Sequence, residues 1–206
     1  MEKIQPVNAL EYEALVQSVR PRTPAQLFDY QVEKLVVAKL ARYEHADPFR
    51  KKIPEQGLFL LVPPEPNPQE LDLDHLMSLV VLDEVAGVNY LERSYLKNLI
   101  EVPIGSVLLT DVEDGRARLN VKPSVSREKI EAEGRHAYTT WRGIIHGALF
   151  PEVLKHHNLD LVASRYESDG VPILCLVGRK PELYGSWDDF ASPRWGAPSA
   201  GSVLVP

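Results

Sequence analysis

The stretch LVASRYESDGVPILCLVG, residues Leu161–Gly178, decides how the chain is read. Two apolar runs flank Ser168-Asp169-Gly170, and a glycine there supplies the positive φ that a tight reversal needs. The pattern predicts a hairpin. Its second run, Val171–Val177, is apolar at odd and even positions alike, as in an interior strand covered on both faces. Cys175 lies inside that run, where a thiol packs as a small hydrophobe and is poorly placed for chemistry. In the first run Arg165 shares a side with Leu161 and Ala163, and an unpaired guanidinium among apolar neighbours is costly. It therefore calls for a carboxylate, with Asp111, Asp188 and Asp189 as candidates. The alternative use is recognition of an anion in a pocket.

Upstream, Ser106–Val112 reads as another strand, Asp114-Gly115 as a tight turn, and Ala117–Val121 as the returning strand of a second hairpin. Asp111, Arg116 and Asn120 bracket that turn and can converge at one end of the sheet. Local hydrogen bonding by Asp and Asn, with a solvated Arg, is the plainer explanation. Downstream, Trp187 stands beside Asp188-Asp189, and residues 191–206 are rich in Ser, Pro, Ala and Gly, which predicts an irregular tail. Trp187 and Trp195 can line a groove or lie as lids over the hairpin.

The strongest helix signal is Trp141, Ile144, Ile145, Ala148 and Leu149, spaced to form one apolar face and opened by Thr139 or Thr140. Thr23-Pro24-Ala25-Gln26 is a capping-box pattern, and Phe28, Val32, Leu35, Val36 and Leu40 predict a helix continuing to about Tyr43. Shorter helices are expected over Ala9–Val19, Leu91–Leu99, Ser126–Glu133 and residues 151–158. Gly57–Val62 and His75–Asp83 read as strands.

The chain has 206 residues, 44% hydrophobic and 25% charged, enough to bury a substantial core. A formal net charge of -6 disfavours nucleic acid as a partner. One cysteine excludes an intramolecular disulfide, and acidic residues near the N-terminus occupy the place of a signal peptide's apolar run. His146, His156, His157 and Glu152 are close in sequence, but their spacing is not HExxH and Pro151 interrupts the alignment a metal site needs. Neither phosphate-loop pattern nor G-x-S-x-G is present.

The run L-L-x-D-V-x-x-G-R-x-x-L-N-V, Leu108 to Val121, resembles that of a bacterial family of uncharacterised proteins known from actinobacteria. The likeness extends to Phe150-Pro151-Glu152-Val153-Leu154, Ser164-Arg165, Val171-Pro172, Gly185 and Trp187, and more loosely back to Phe28-Asp29-Tyr30-Gln31-Val32. That family has no assigned reaction, so the resemblance implies no site residue. Tyr166 replaces the cysteine that relatives carry beside Ser-Arg, which removes thiol or metal chemistry at that position.

These readings predict one α+β domain over residues 1–206, with a helical preface at 1–22. Its mixed or antiparallel sheet contains two C-terminal hairpins and is covered by helices. The expected function is that of a soluble, cytoplasmic, non-enzymatic binding or interaction protein for a small anionic ligand or a protein partner, with Arg165, Arg116, Asp111, Asn120 and Trp187 as the ligand-binding residues. No metal or other cofactor, membrane or nucleic acid is expected. The alternative is a small enzyme on an anionic small molecule, with Arg165 and Arg116 as anion clamps.

Overall fold

A computed structural model describes residues Thr23–Pro206. The helix expected over Ala9–Val19 and the rest of the preface lie outside the described residues. The fold is α+β. An antiparallel sheet has the spatial order Leu60–Val62, Val107–Glu113, Ser199–Leu204, His136–Ala137. A mixed sheet runs Trp195–Gly196, Asn158–Asp160, Gly170–Val177, Lys180–Trp187, Val88–Asn89, and its outer pairs are parallel. On this second sheet Ser164–Tyr166 joins Gly170–Val177 and also pairs with Leu96–Asn98.

Gly170–Val177 is the interior strand that its apolar run requires, with strands on both sides and residues 171–175 buried. The reversal at Ser168-Asp169-Gly170 exists, but its first arm contributes a single paired residue, Tyr166 opposite Gly170. The long hairpin is the next one, in which Gly170–Val177 pairs residue for residue with Lys180–Trp187.

The helix Thr140–Leu149 packs against both sheets. Thr139 caps it by accepting the Arg142 N–H at 3.3 Å, and Ser164 Oγ accepts the Thr140 N–H at 2.8 Å. Trp141 Nε1 donates to Pro63 O at 3.1 Å beside the first sheet. On the opposite side a Cβ on Gly143 would stand 2.2 Å from Leu161 Cδ2, and one on Gly147 would stand 2.6 Å from Leu174 Cδ2. Glycines four residues apart thus let the second sheet approach the helix backbone, and nearly every residue of the helix is buried.

Helix Pro24–Val37 begins with the expected reciprocal cap between Thr23 and Gln26. It stops short of Tyr43 because Lys39 turns left-handed (φ 60°) and the N–H groups of Leu40 and Ala41 both return to Leu35 O. Its buried Gln31 donates to Phe59 O at 3.0 Å and accepts from Leu61 N at 2.7 Å, replacing a neighbouring strand along an otherwise open edge.

Several expected elements are corrected. Residues expected as a strand over His75–Asp83 begin inside the helix Leu73–Ser78, capped by Asp72, and continue to the short strand Val81–Leu82. Leu91–Leu99 is not a helix: a 3-10 turn, Arg93–Tyr95, leads into strand Leu96–Asn98. Ala117–Val121 is not a returning strand, since Arg116–Arg118 is a 3-10 turn. There the Glu113 carboxylate accepts the N–H groups of Gly115 and Ala117, both at 2.9 Å, and the local bonds displace a ladder. Val107–Glu113 instead pairs with Leu60–Val62 and with Ser199–Leu204. The expected irregular tail therefore supplies an inner strand of the first sheet.

Gly143→Ala should cost about 1–3 kcal/mol, because the added methyl meets the fully buried Leu161. Denaturant unfolding measures this, and an unchanged midpoint would show that the helix and sheet are less closely packed.

Candidate functional site

The residues expected to form one ligand site are separated into three ion pairs and two surface positions. Arg165 Nη1 donates to Asp188 Oδ2 at 2.9 Å, Arg116 Nε to Asp114 Oδ1 at 2.9 Å, and Arg135 Nη1 to Asp111 Oδ2 at 2.6 Å. Asn120 is exposed, and its backbone N–H bonds to Ser192 O and Trp195 O. Trp187 is 68% exposed and covers nothing as a lid, while Trp195 packs edge-on against Tyr184 and Phe190. Asp111, Arg116 and Asn120 thus make separate contacts.

Two of the acids nevertheless hold arginines that line a cleft. Asp188 holds Arg127 as well as Arg165, with Arg127 Nη2 donating to Asp188 Oδ1 at 2.8 Å and Arg127 Nε to Val162 O at 2.8 Å. Arg127 and the Asp111-bound Arg135 both line a cleft of about 530 Å³. Leu99, Ile100 and Pro103 supply one wall. The end of helix Pro123–Ala132 supplies Arg127, Ile130 and Glu131, and the first sheet contributes His136, Ala137 and Val203. Glu101, Gly134 and Arg142 complete the lining.

Arg142 is the distinctive member. It projects from the buried central helix, is 2% exposed, and donates through Nη1 to Ala137 O at 3.3 Å. Its buried Nε makes no hydrogen bond, and Glu65 Oε2 stands 3.7 Å from it. Burial lowers the Arg142 pKa against the pull of Glu65, and burial raises Glu65 against the pull of Arg142. A guanidinium stays charged in a protein, so Arg142 carries a cation to the cleft lining while its Nε, beside Glu65, lacks a hydrogen-bonded acceptor. Burial, Arg142 and Arg135 together lower His136, which presents a neutral imidazole to the same space at neutral pH.

The sequence signal for Arg142 was the pair Gly143 and Gly147. They lie away from the apolar face counted on Thr140–Leu149 and mark a second packed surface, and Arg142 and His146 fall on the helix between the two surfaces.

A second polar group lies deeper. His157 Nε2 is 2.9 Å from Asp114 O and 3.8 Å from Asp114 Oδ1. His146 is wholly buried between the rings of Tyr138 and Phe150, each centred 5.8 Å away, and neither of its ring nitrogens has a hydrogen-bond partner. Histidines 146 and 157 are thus core groups rather than helix-end charges. Burial lowers both, His146 to about 4. Burial alone would raise Asp114, but His157, Arg116 and His146 outweigh it and hold the carboxyl low. With the imidazoles neutral at pH 7, Arg116 is the standing counter-ion. On the mixed sheet, Asp160 is fully buried with both oxygens unpartnered, and burial together with nearby Asp188 pushes it up to about 7. Cys175, buried in the neighbouring strand, is pushed up to about 12 and is inert as a thiolate at neutral pH.

Among the described residues, no group of three or more His, Cys, Asp or Glu is arranged to hold a metal ion, and no helix is long and apolar enough to cross a membrane. No family model matches the chain, and neither a curated protein nor a solved structure does.

The interior groups give stability opposite slopes with pH. Between pH 6.5 and about 4 the unfolded chain protonates residue His146 while the folded chain resists, so this residue's contribution falls as pH falls. His146→Leu should therefore gain about 2 kcal/mol on the parent between pH 7 and pH 5. For Asp160 the folded state holds its proton up to about 7 and the unfolded state releases it near 4, so stability is lost as pH rises through that window. Asp160→Asn should gain about 2 kcal/mol on the parent between pH 5 and pH 8. Urea unfolding across pH checks both, and pH-independent differences would contradict the assigned environments.

Proposed function

We propose that this chain is a binding protein for a small organic anion, held in the cleft between Leu99–Pro103 and the end of helix Pro123–Ala132. The observation that carries this reading is Arg142, a guanidinium buried in the central helix that reaches the cleft with Nε unbonded. Arg127 and Arg135 stand beside it, fixed by Asp188 and Asp111, so the cleft's cations are positioned before any ligand arrives. Arg165 and Arg116, the clamps first expected from sequence, are engaged by Asp188 and Asp114 and lie outside the cleft lining.

A second reading, an enzyme acting on such an anion, is favoured by His136. It lines the same cleft as a neutral imidazole, the form able to accept a proton. Asp160, His146 and Cys175, whose protonation burial also displaces, are not in the lining, which favours binding over catalysis.

Thermal unfolding with millimolar benzoate, citrate or phosphate tests the proposal. At least one anion should raise the parent's Tm in a concentration-dependent way, and Arg142→Gln should lose the response. Arg165→Gln should keep it. The absence of a shift with every anion, or an undiminished shift in Arg142→Gln, would refute the assignment.

A further inference from the structure

We infer that the ligand of this cleft is a monoanionic amphiphile, an acyl or aryl carboxylate whose carboxylate meets Arg142 and whose apolar body lies against Leu99, Ile100 and Val203. The inference rests on the anion-binding reading and narrows it by charge, volume and wall chemistry.

Charge excludes a highly charged ligand. The lining sets three guanidinium groups, Arg127, Arg135 and Arg142, beside two carboxylates, Glu101 and Glu131, and each guanidinium already faces a further acid, Asp188, Asp111 or Glu65. Arg127 and Arg135 hold their acids at 2.8 and 2.6 Å, whereas Glu65 stands 3.7 Å from Arg142, the loosest of the three pairs. A nucleoside triphosphate or a nucleic-acid backbone would bring several negative charges to one uncommitted donor edge, beside two acids that repel them. A single carboxylate brings the least negative charge to this crowded set, and its two oxygens match the planar geometry of a guanidinium.

Volume excludes a bare inorganic anion as the natural occupant. About 530 Å³ corresponds to more than fifteen water-sized units at roughly 30 Å³ each, far beyond one phosphate or sulfate. The remaining space borders apolar side chains. Leu99 and Ile100 are 39% and 38% exposed, large aliphatic groups left facing solvent at the mouth, with Pro103 and Val203 beside them. Covering such a wall favours a ligand with a hydrocarbon portion, and each methylene removed from water tightens binding about fourfold.

Isothermal titration of the full chain with butanoate, hexanoate, octanoate, octanol and inorganic phosphate tests the inference. Affinity should rise several-fold with each added methylene from butanoate to octanoate, and octanol should bind at least tenfold more weakly than octanoate. Arg142→Gln should remove the preference for octanoate over octanol. Ile100→Glu, at a partly exposed position outside the core, should weaken octanoate at least tenfold with little change in Tm, so the test stands even if Arg142→Gln fails to fold. Phosphate binding as tightly as octanoate, with no dependence on chain length, would overturn the amphiphile and leave the anion site. Octanol binding as tightly as octanoate would refute the carboxylate contact, and the absence of binding by every probe would refute both readings.

Discussion

The close approach of helix Thr140–Leu149 to the mixed sheet governs the rest of the molecule. Gly143 and Gly147 admit Leu161 and Leu174 to distances that a methyl would forbid, while Trp141 ties the same helix to the antiparallel sheet through Pro63. A helix held this way has no solvent side. Polar residues on it are carried into the interior by the packing, and Arg142 and His146 are the consequence. The two differ in outcome because of what surrounds them: His146 lies between aromatic rings and sheds its proton, whereas Arg142 keeps its charge and borders a cleft.

Ion pairing then divides the arginines into two kinds. Those at residues 116, 127, 135 and 165 meet carboxylates at 2.6 to 2.9 Å, and Asp188 serves two of them. Such pairs fix geometry more than they add stability, since desolvation offsets most of the attraction. Arg142 has only Glu65 at 3.7 Å, a carboxyl whose ionisation burial opposes. Within the cleft, recognition is therefore assigned to the cation with the loosest carboxylate partner, while Arg127 and Arg135 hold the walls.

Much of the fold was legible in the sequence, and the errors have a common cause. The capping box at Thr23, the apolar face beginning at Trp141 and the unbroken run Val171–Val177 are local signals, and each produced the expected element. Ser199–Leu204 carries no comparable pattern, because its place is set by pairing with Val107–Glu113, some ninety residues earlier in the chain. Without that partner, Ala117–Val121 looked like the natural return strand after Asp114-Gly115. At the site, reading Arg165 as needing a carboxylate was sound and led to Asp188. Arg142 carries no local signal of its own, because an apolar face on a helix does not tell whether the opposite face is solvated, and here two glycines pack that face too.

The central claim is that Arg142 is the ligand's anion contact, and the most direct measurement is the NMR signal of its guanidinium as octanoate is added. The account predicts a saturable shift of the Arg142 resonance, identified by its absence in Arg142→Lys, while Arg127 Nε, bonded to Val162 O, moves little. An unmoved Arg142 resonance at saturating octanoate, or shifts confined to Arg165 and Arg116, would contradict it.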